Sequence, residues 1–341
     1  MPGIILGLIA GAGLPVQTAV NSRLRTKFGG NAFYAARYSF TSSTVLILIL
    51  LAVTGIGFSM PWGDLSGEPF WIWAGGVCGI FYLTCTTILM PILGSVQTVI
   101  FPIVGQVIMS LAIDHFGLFG SQVNSLTVTR LAGAVLVLAG AVIISLTKGP
   151  GVPGKSTAKP GAAGSPATKP EAAGSSAVLG IRPEAGQNSA MAPGLWLWRL
   201  LGVIVGFAQA TQTAVNSRLG MILGVPLKAT CVSFVVGTIC IWIVCLVHRV
   251  RNGKPETVLG FSPWWMWTGG IYGVIYILVN IYLANRLGTG MTVLIMLTGI
   301  ISGGVILENF GVLGVNRRPV TLLKVGCVLM MLAGLAMIRL L

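Results

Sequence analysis

The sequence predicts an all-α integral membrane protein of ten transmembrane helices, arranged as two inverted five-helix repeats. Three observations carry this. The 341 residues are 55% hydrophobic and 8% charged, with a mean hydropathy of +0.90, whereas a soluble domain is about 25% charged. Apolar stretches near the roughly 20 residues needed to span a bilayer recur ten times, and they are continuous rather than alternating, which argues against a barrel. Finally, Gln17-Thr18-Ala19-Val20-Asn21-Ser22-Arg23-Leu24 returns letter for letter as Gln212 to Leu219, an offset of 195.

The repeat extends beyond this motif. WAGGVCG at 73–79 aligns with WTGGIYG at 267–273, Phe116-Gly117 with Phe310-Gly311, Arg130 with Lys324 and 138–140 with 332–334, all at an offset of 194. A period this long is a duplicated half-domain, since solenoid modules repeat every 20–50 residues or so. The chain divides into a first membrane repeat at 1–147, a linker at 148–194 and a second repeat at 195–341. An odd number of spans per repeat makes the second copy enter the membrane from the other side, a plan common among transporters.

The first span, 3–22, is glycine-rich (Gly3, Gly7, Gly11, Gly13), which permits close helix approach, and it ends at the QTAVNSRL motif. Its basic residues follow the apolar run instead of preceding it, so it reads as a helix and not as a signal peptide. The second span, 33–54, starts with Phe33, Tyr34, Arg37 and Tyr38, suited to an interface. The third, 70–90, opens on Trp71 and Trp73 and carries Tyr82 near its middle. The fourth, 96–113, sets Pro102, Gln106, Ser110 and Asp114 on one stripe at four-residue spacing. The fifth, 129–147, begins at Arg130.

Residues 148–194 are Gly, Pro, Ala, Ser and Lys with scarcely an aromatic, a composition too poor in apolar area to fold, so a disordered tether is expected. The sixth span, 196–216, ends in the second copy of the motif. The seventh is 226–247. The eighth, 264–285, opens on Trp264, Trp265 and Trp267 and carries Tyr276 and Asn280. The ninth, 289–307, is almost wholly apolar, and the tenth, 321–340, starts near Lys324.

Charge sets the expected orientation. Sixteen of the 21 Lys and Arg residues fall on the side of the 148–194 linker, so that side is cytoplasmic and both termini face outward. The net charge of +14 therefore reports topology, and no nucleic-acid partner is implied. All six cysteines lie inside apolar spans without ligand spacing and read as packing residues.

Paired five-helix units with NSRL closing the first helix, Gly105-Gln106 in the fourth and Asp114-His115-Phe116-Gly117 after it resemble the YdcZ-type family of bacterial inner-membrane proteins, within the drug/metabolite transporter superfamily. The resemblance covers both halves and omits only the linker. It implies a fused two-unit exporter, located in the cell inner membrane as a multi-pass protein, and not an enzyme. The second half departs from the pattern, with Ile300 in place of Gln106 and Glu308-Asn309 in place of Asp114-His115.

Amides in hydrocarbon are costly unless paired, so they should face the bundle interior. Gln17 and Asn21 share one helical face, as do Gln209, Gln212 and Asn216. With Tyr82, Gln106, Tyr276 and Asn280 they form the candidate substrate-binding set. The same residues also suit interhelical hydrogen bonding, and both readings stay open. Asp114 with Arg130 and Glu308 with Lys324 are candidate ion pairs or coupling groups at helix ends. No Asp, Glu, Lys or His stands mid-span, and no metal-ligand cluster, P-loop or catalytic pairing is present, so no cofactor is expected and transport driven by ATP bound to this chain is excluded. The expected partners are a small organic solute and the lipid bilayer, with one chain sufficing because it holds both repeats. A secondary transporter working by alternating access is the leading function, with a passive channel or a lipid flippase as alternatives.

Overall fold

The computed structural model describes residues 2–57, 59, 62–146, 195–253, 263–311, 313 and 319–340, and the expected tether lies outside them. Among the described residues the chain is helical throughout, without strands. We number the helices α1 Pro2–Thr26, α2 Ala32–Val53, α3 Gly75–Thr86, α4 Gln97–Phe116, α5 Val128–Leu146, α6 Leu195–Ile222, α7 Pro226–Asn252, α8 Gly269–Leu287, α9 Thr289–Phe310 and α10 Leu322–Leu340. Ten helices fit the ten expected spans. Among the described residues, six helical segments are long and apolar enough to cross a membrane by themselves.

α3 and α4 are arms of one uninterrupted helical run, Gly75–Phe116, 42 residues long. A straight helix of that length would measure about 63 Å. Yet Gly79 lies against Gln212 while Gly206 lies against Pro102. Residues 79 and 102 would stand about 35 Å apart along a straight helix, whereas 212 and 206 are about 9 Å apart on α6. The run therefore doubles back between Thr86 and Gln97, with α3 antiparallel and α4 parallel to α6. In the second repeat the same reversal is an open break at Gly288, whose φ of +82° suits glycine.

The ends of the helices follow local chemistry. Asn31 caps α2 by accepting the Phe33 N–H at 3.0 Å. Pro226 opens α7, where its missing N–H costs nothing. Gly117 and Gly311, a repeat pair, close α4 and α9 in the left-handed conformation. The tryptophan-rich 3-10 turns Phe70–Trp73 and Trp264–Trp267 lead into α3 and α8.

The repeats interleave through reciprocal contacts. Gly11 of α1 packs on Met296 and Gly299 of α9, and Gly206 of α6 packs on Pro102 and Gln106 of α4. Between α5 and α10, Gly133 meets the Gly334 carbonyl and Gly140 meets the Cys327 carbonyl. Between α2 and α7 two equivalent residues meet each other, Thr44 Oγ1 and Thr238 Oγ1 at 2.8 Å. At each crossing of the α1 and α5 types an added Cβ would strike backbone, so glycine sets the approach distance. Large apolar side chains such as Ile9, Ile49, Val135, Ile243 and Leu329 point outward, forming the belt expected of a lipid-facing surface.

Candidate functional site

A cavity of about 210 Å³ lies where the two repeats meet. It is lined from α1 by Leu14, Gln17, Thr18 and Asn21, from α6 by the equivalents Gln209, Gln212, Thr213 and Asn216, and from α3 and α8 by Gly79, Tyr82, Gly273, Tyr276 and Asn280. Gln106 of α4 and Ile300 of α9 face it at equivalent positions. All nine residues singled out as candidate substrate ligands therefore border one chamber: Gln17, Asn21, Tyr82, Gln106, Gln209, Gln212, Asn216, Tyr276 and Asn280.

Glycines bring the amides inward. The Gln17 amide nitrogen lies over Gly273 and that of Gln212 over Gly79, and in each case a Cβ would come within 2.8 Å of it. One helical turn on, Asn21 Oδ1 faces Gly269 and Asn216 Oδ1 faces Gly75, the first residues of α8 and α3. The asparagines are anchored by α2 and α7. Asn21 Nδ2 donates to Ser39 Oγ at 3.4 Å and Asn216 Nδ2 to the equivalent Ser233 Oγ at 3.1 Å. These two bonds are interhelical glue, as are the Ser43 hydroxyl on the Gly270 carbonyl at 3.0 Å and the short contact between Ser217 and Asn285. Asn21 and Asn216 thus serve packing and lining together.

The glutamines differ. Among the described residues no group hydrogen-bonds Gln17, Gln106 or Gln212, although Gln106 and Gln212 are each 7% exposed. Gln209 and Asn280 lie beside the Tyr276 hydroxyl, and Tyr82 faces the same chamber. The oxygens of Asn21, Asn216 and Asn280 are buried without a donor. Buried polar groups are ordinarily satisfied, so this cluster has the character of a binding site for something that hydrogen-bonds.

The charged candidates lie elsewhere. Asp114, fully buried, accepts the Thr289 N–H at 2.7 Å and the Gly290 N–H at 3.0 Å, capping α9 from the end of α4, and pairs with Arg130 at 3.2 Å. Lys324 pairs with Glu308, also at 3.2 Å. Neither pair borders the cavity. Arg25, on the face of Gln17 and Asn21, turns away to the Gly30 carbonyl.

The lining includes residues that sequence reasoning did not select, chiefly Ser39, Phe40 and Ser43 of α2 and Phe234 of α7. The i, i+4 spacing of Ser39 and Ser43 and the repeat pairing of Phe40 with Phe234 were available signals. The capping of α9 by Asp114 had none, because it joins positions 175 apart.

Comparison with known proteins places the chain. The sequence profile described as "Putative inner membrane exporter, YdcZ" matches residues 2–143 and 197–337, one full unit in each repeat. The chain belongs to the YdcZ family. The two matches confirm the two-unit form of this drug/metabolite-type inner-membrane exporter family, a kind of protein that transports rather than catalyses. No curated protein matches the YdcZ-family chain. One solved crystal structure superposes with a TM-score of 0.67 at 12% identity, covering 100% of this chain and 98% of that one, a likeness of fold.

Proposed function

We propose that this chain is a secondary transporter that exports a small organic solute across the inner membrane by alternating access. The observation that carries the reading is the polar chamber between the repeats, lined by equivalent residues of both, in which Gln17, Gln106 and Gln212 have no hydrogen-bond partner among the described residues. A volume of about 210 Å³ lies below the roughly 300–1,000 Å³ of drug-sized pockets, which favours a small solute.

The two repeats are related by a pseudo-two-fold axis in the membrane plane, passing near the self-paired Thr44 and Thr238 and between Tyr82 and Tyr276. Odd span number and the distribution of Lys and Arg support this inversion, with the linker cytoplasmic and both termini outside. Rocking one repeat against the other opens the chamber to each side in turn. Exchange rests on the small-residue crossings, which slide without exposing bulky side chains. Export as the direction follows the family. Coupling, if a proton drives it, runs through the helix-end pairs Asp114–Arg130 and Glu308–Lys324, since no carboxylate borders the chamber among the described residues.

The test is the double substitution Gln17→Ala with Gln212→Ala in reconstituted vesicles. Solute flux is lost while the protein remains folded and inserted. Wild-type flux in the double variant removes the amide lining from the mechanism.

A further inference from the structure

The chamber's chemistry narrows the solute. Among the described residues no Asp, Glu, Lys, Arg or His borders it, and a bare ion in a low-dielectric cavity without a counter-charge is heavily penalised. The transported species is therefore uncharged when bound.

Three unpartnered glutamines, Gln17, Gln106 and Gln212, face that uncharged species. A carboxamide offers donors and an acceptor side by side. Its best complement is a group with the same pair in reverse, as when Asn or Gln binds the edge of adenine through two hydrogen bonds. An amine offers no acceptor once protonated, and a carboxylate no donor. The remaining walls are aromatic at repeat positions, Phe40 with Phe234 at 5.7 Å between ring centroids and Tyr82 beside Tyr276. Aromatic faces favour flat rings.

The lining also breaks the repeat symmetry in one direction. Gln106 of α4 faces the chamber where α9 supplies Ile300, and Gln209 of α6 where α1 supplies Leu14. At these two positions one wall can hydrogen-bond and its counterpart cannot.

We propose that the solute is an uncharged planar ring carrying a carboxamide or lactam edge, of nucleobase-like or nicotinamide-like chemistry. That edge is held toward Gln106 and Gln209, and the ring's apolar edge lies toward Leu14 and Ile300. The assignment rests on the carrier reading above and adds to it the solute's charge, shape and orientation.

The test uses the full chain in proteoliposomes with three rings of similar size and different charge: nicotinamide, its carboxylate analogue nicotinate and the cation 1-methylnicotinamide. Uracil and hypoxanthine serve as lactam rings. Saturable counterflow is expected for at least one of the three neutral rings, uninhibited by the two ions. Gln106→Ile, which copies the residue of the other repeat, raises the KM about 5- to 10-fold, the effect of one lost hydrogen bond, with an unchanged melting temperature. Movement of nicotinate or 1-methylnicotinamide as fast as that of the neutral rings overturns the assignment and leaves the carrier standing. So does the absence of saturable movement of every neutral ring. Unsaturable ion current through the reconstituted protein overturns both.

Discussion

Replacing Gly79 and Gly273 by alanine separates a lining role from a packing role for the two glutamines of the repeated motif. The new Cβ atoms would stand 2.8 Å from Gln212 Nε2 and Gln17 Nε2, where ordinary contact is about 3.5–4.0 Å, so each amide must retreat by about 1 Å. The obstructed atom is the tip of a flexible side chain. An off-rotamer adjustment costs about 0.5–1.5 kcal/mol, and alanine in place of a mid-helix glycine returns up to about 1 kcal/mol. Stability should change by less than about 1 kcal/mol. If each amide makes one hydrogen bond of about 1 kcal/mol to the solute, each single variant weakens transport about 5-fold and the double variant about 30-fold. Gly76→Ala is the contrasting control. Its Cβ would strike the Ser233 carbonyl and the Gly237 nitrogen, backbone that cannot step aside, and folded protein is lost. The assay pairs thermal unfolding in detergent with solute flux in vesicles. Unchanged flux in the double variant refutes the contact between these amides and the solute. Unfolding comparable to Gly76→Ala shows instead that the amides are structural.

Two further predictions concern the ion pairs and the topology. Asp114→Ala removes the cap of α9 and leaves Arg130 without its counter-charge, a loss of about 3–5 kcal/mol. Glu308→Ala costs roughly half as much, because Glu308 is 35% exposed and the flexible stem of Lys324 can carry its ammonium toward water. Equal melting temperatures for the two variants contradict this ranking. On a cysteine-free background, Arg23→Cys and Arg218→Cys should react with a membrane-impermeant maleimide from opposite sides. The Arg218–Glu68 pair lost in the second is a surface contact of less than about 1 kcal/mol, so folding is retained. Labelling of both from one side refutes the inverted arrangement.

Much of this was legible because a membrane sequence speaks through few letters. Ten apolar runs give ten helices, and amides excluded from lipid must turn inward, so Gln17, Gln106, Gln212 and their companions could be gathered before any coordinates. What the sequence concealed are contacts set by helix crossing. The reversal between α3 and α4 is not among them: the separate third and fourth spans, 70–90 and 96–113, already imply it, although the helical run Gly75–Phe116 carries no open break there. Ser39 looked like any small polar residue of a membrane helix. Its role depends on Asn21 lying beside it, 18 residues away. The capping of α9 by Asp114 likewise comes from another repeat and leaves no local pattern.

The divergence of the two halves is selective in a physically informative way. Several positions that set helix approach are kept in kind, although Gly133 has Cys327 as its equivalent. Gly11 and Gly206, Gly79 and Gly273, and Gly117 and Gly311 all match, since a side chain there meets backbone, the Gln212 or Gln17 amide, or a positive φ. The lining has drifted: Gln106 against Ile300, Gln209 against Leu14, Ser43 against Gly237. Two identical chains pairing antiparallel would place Gln106 on both walls and give the solute two equivalent orientations. Fusion into one chain lifts that constraint. Two additional amides on one wall, opposite aliphatic side chains at the equivalent positions, then favour one orientation, and discrimination by hydrogen bonding, which rejects analogues lacking the partner group far better than an apolar wall does, can be concentrated on the α4–α6 side.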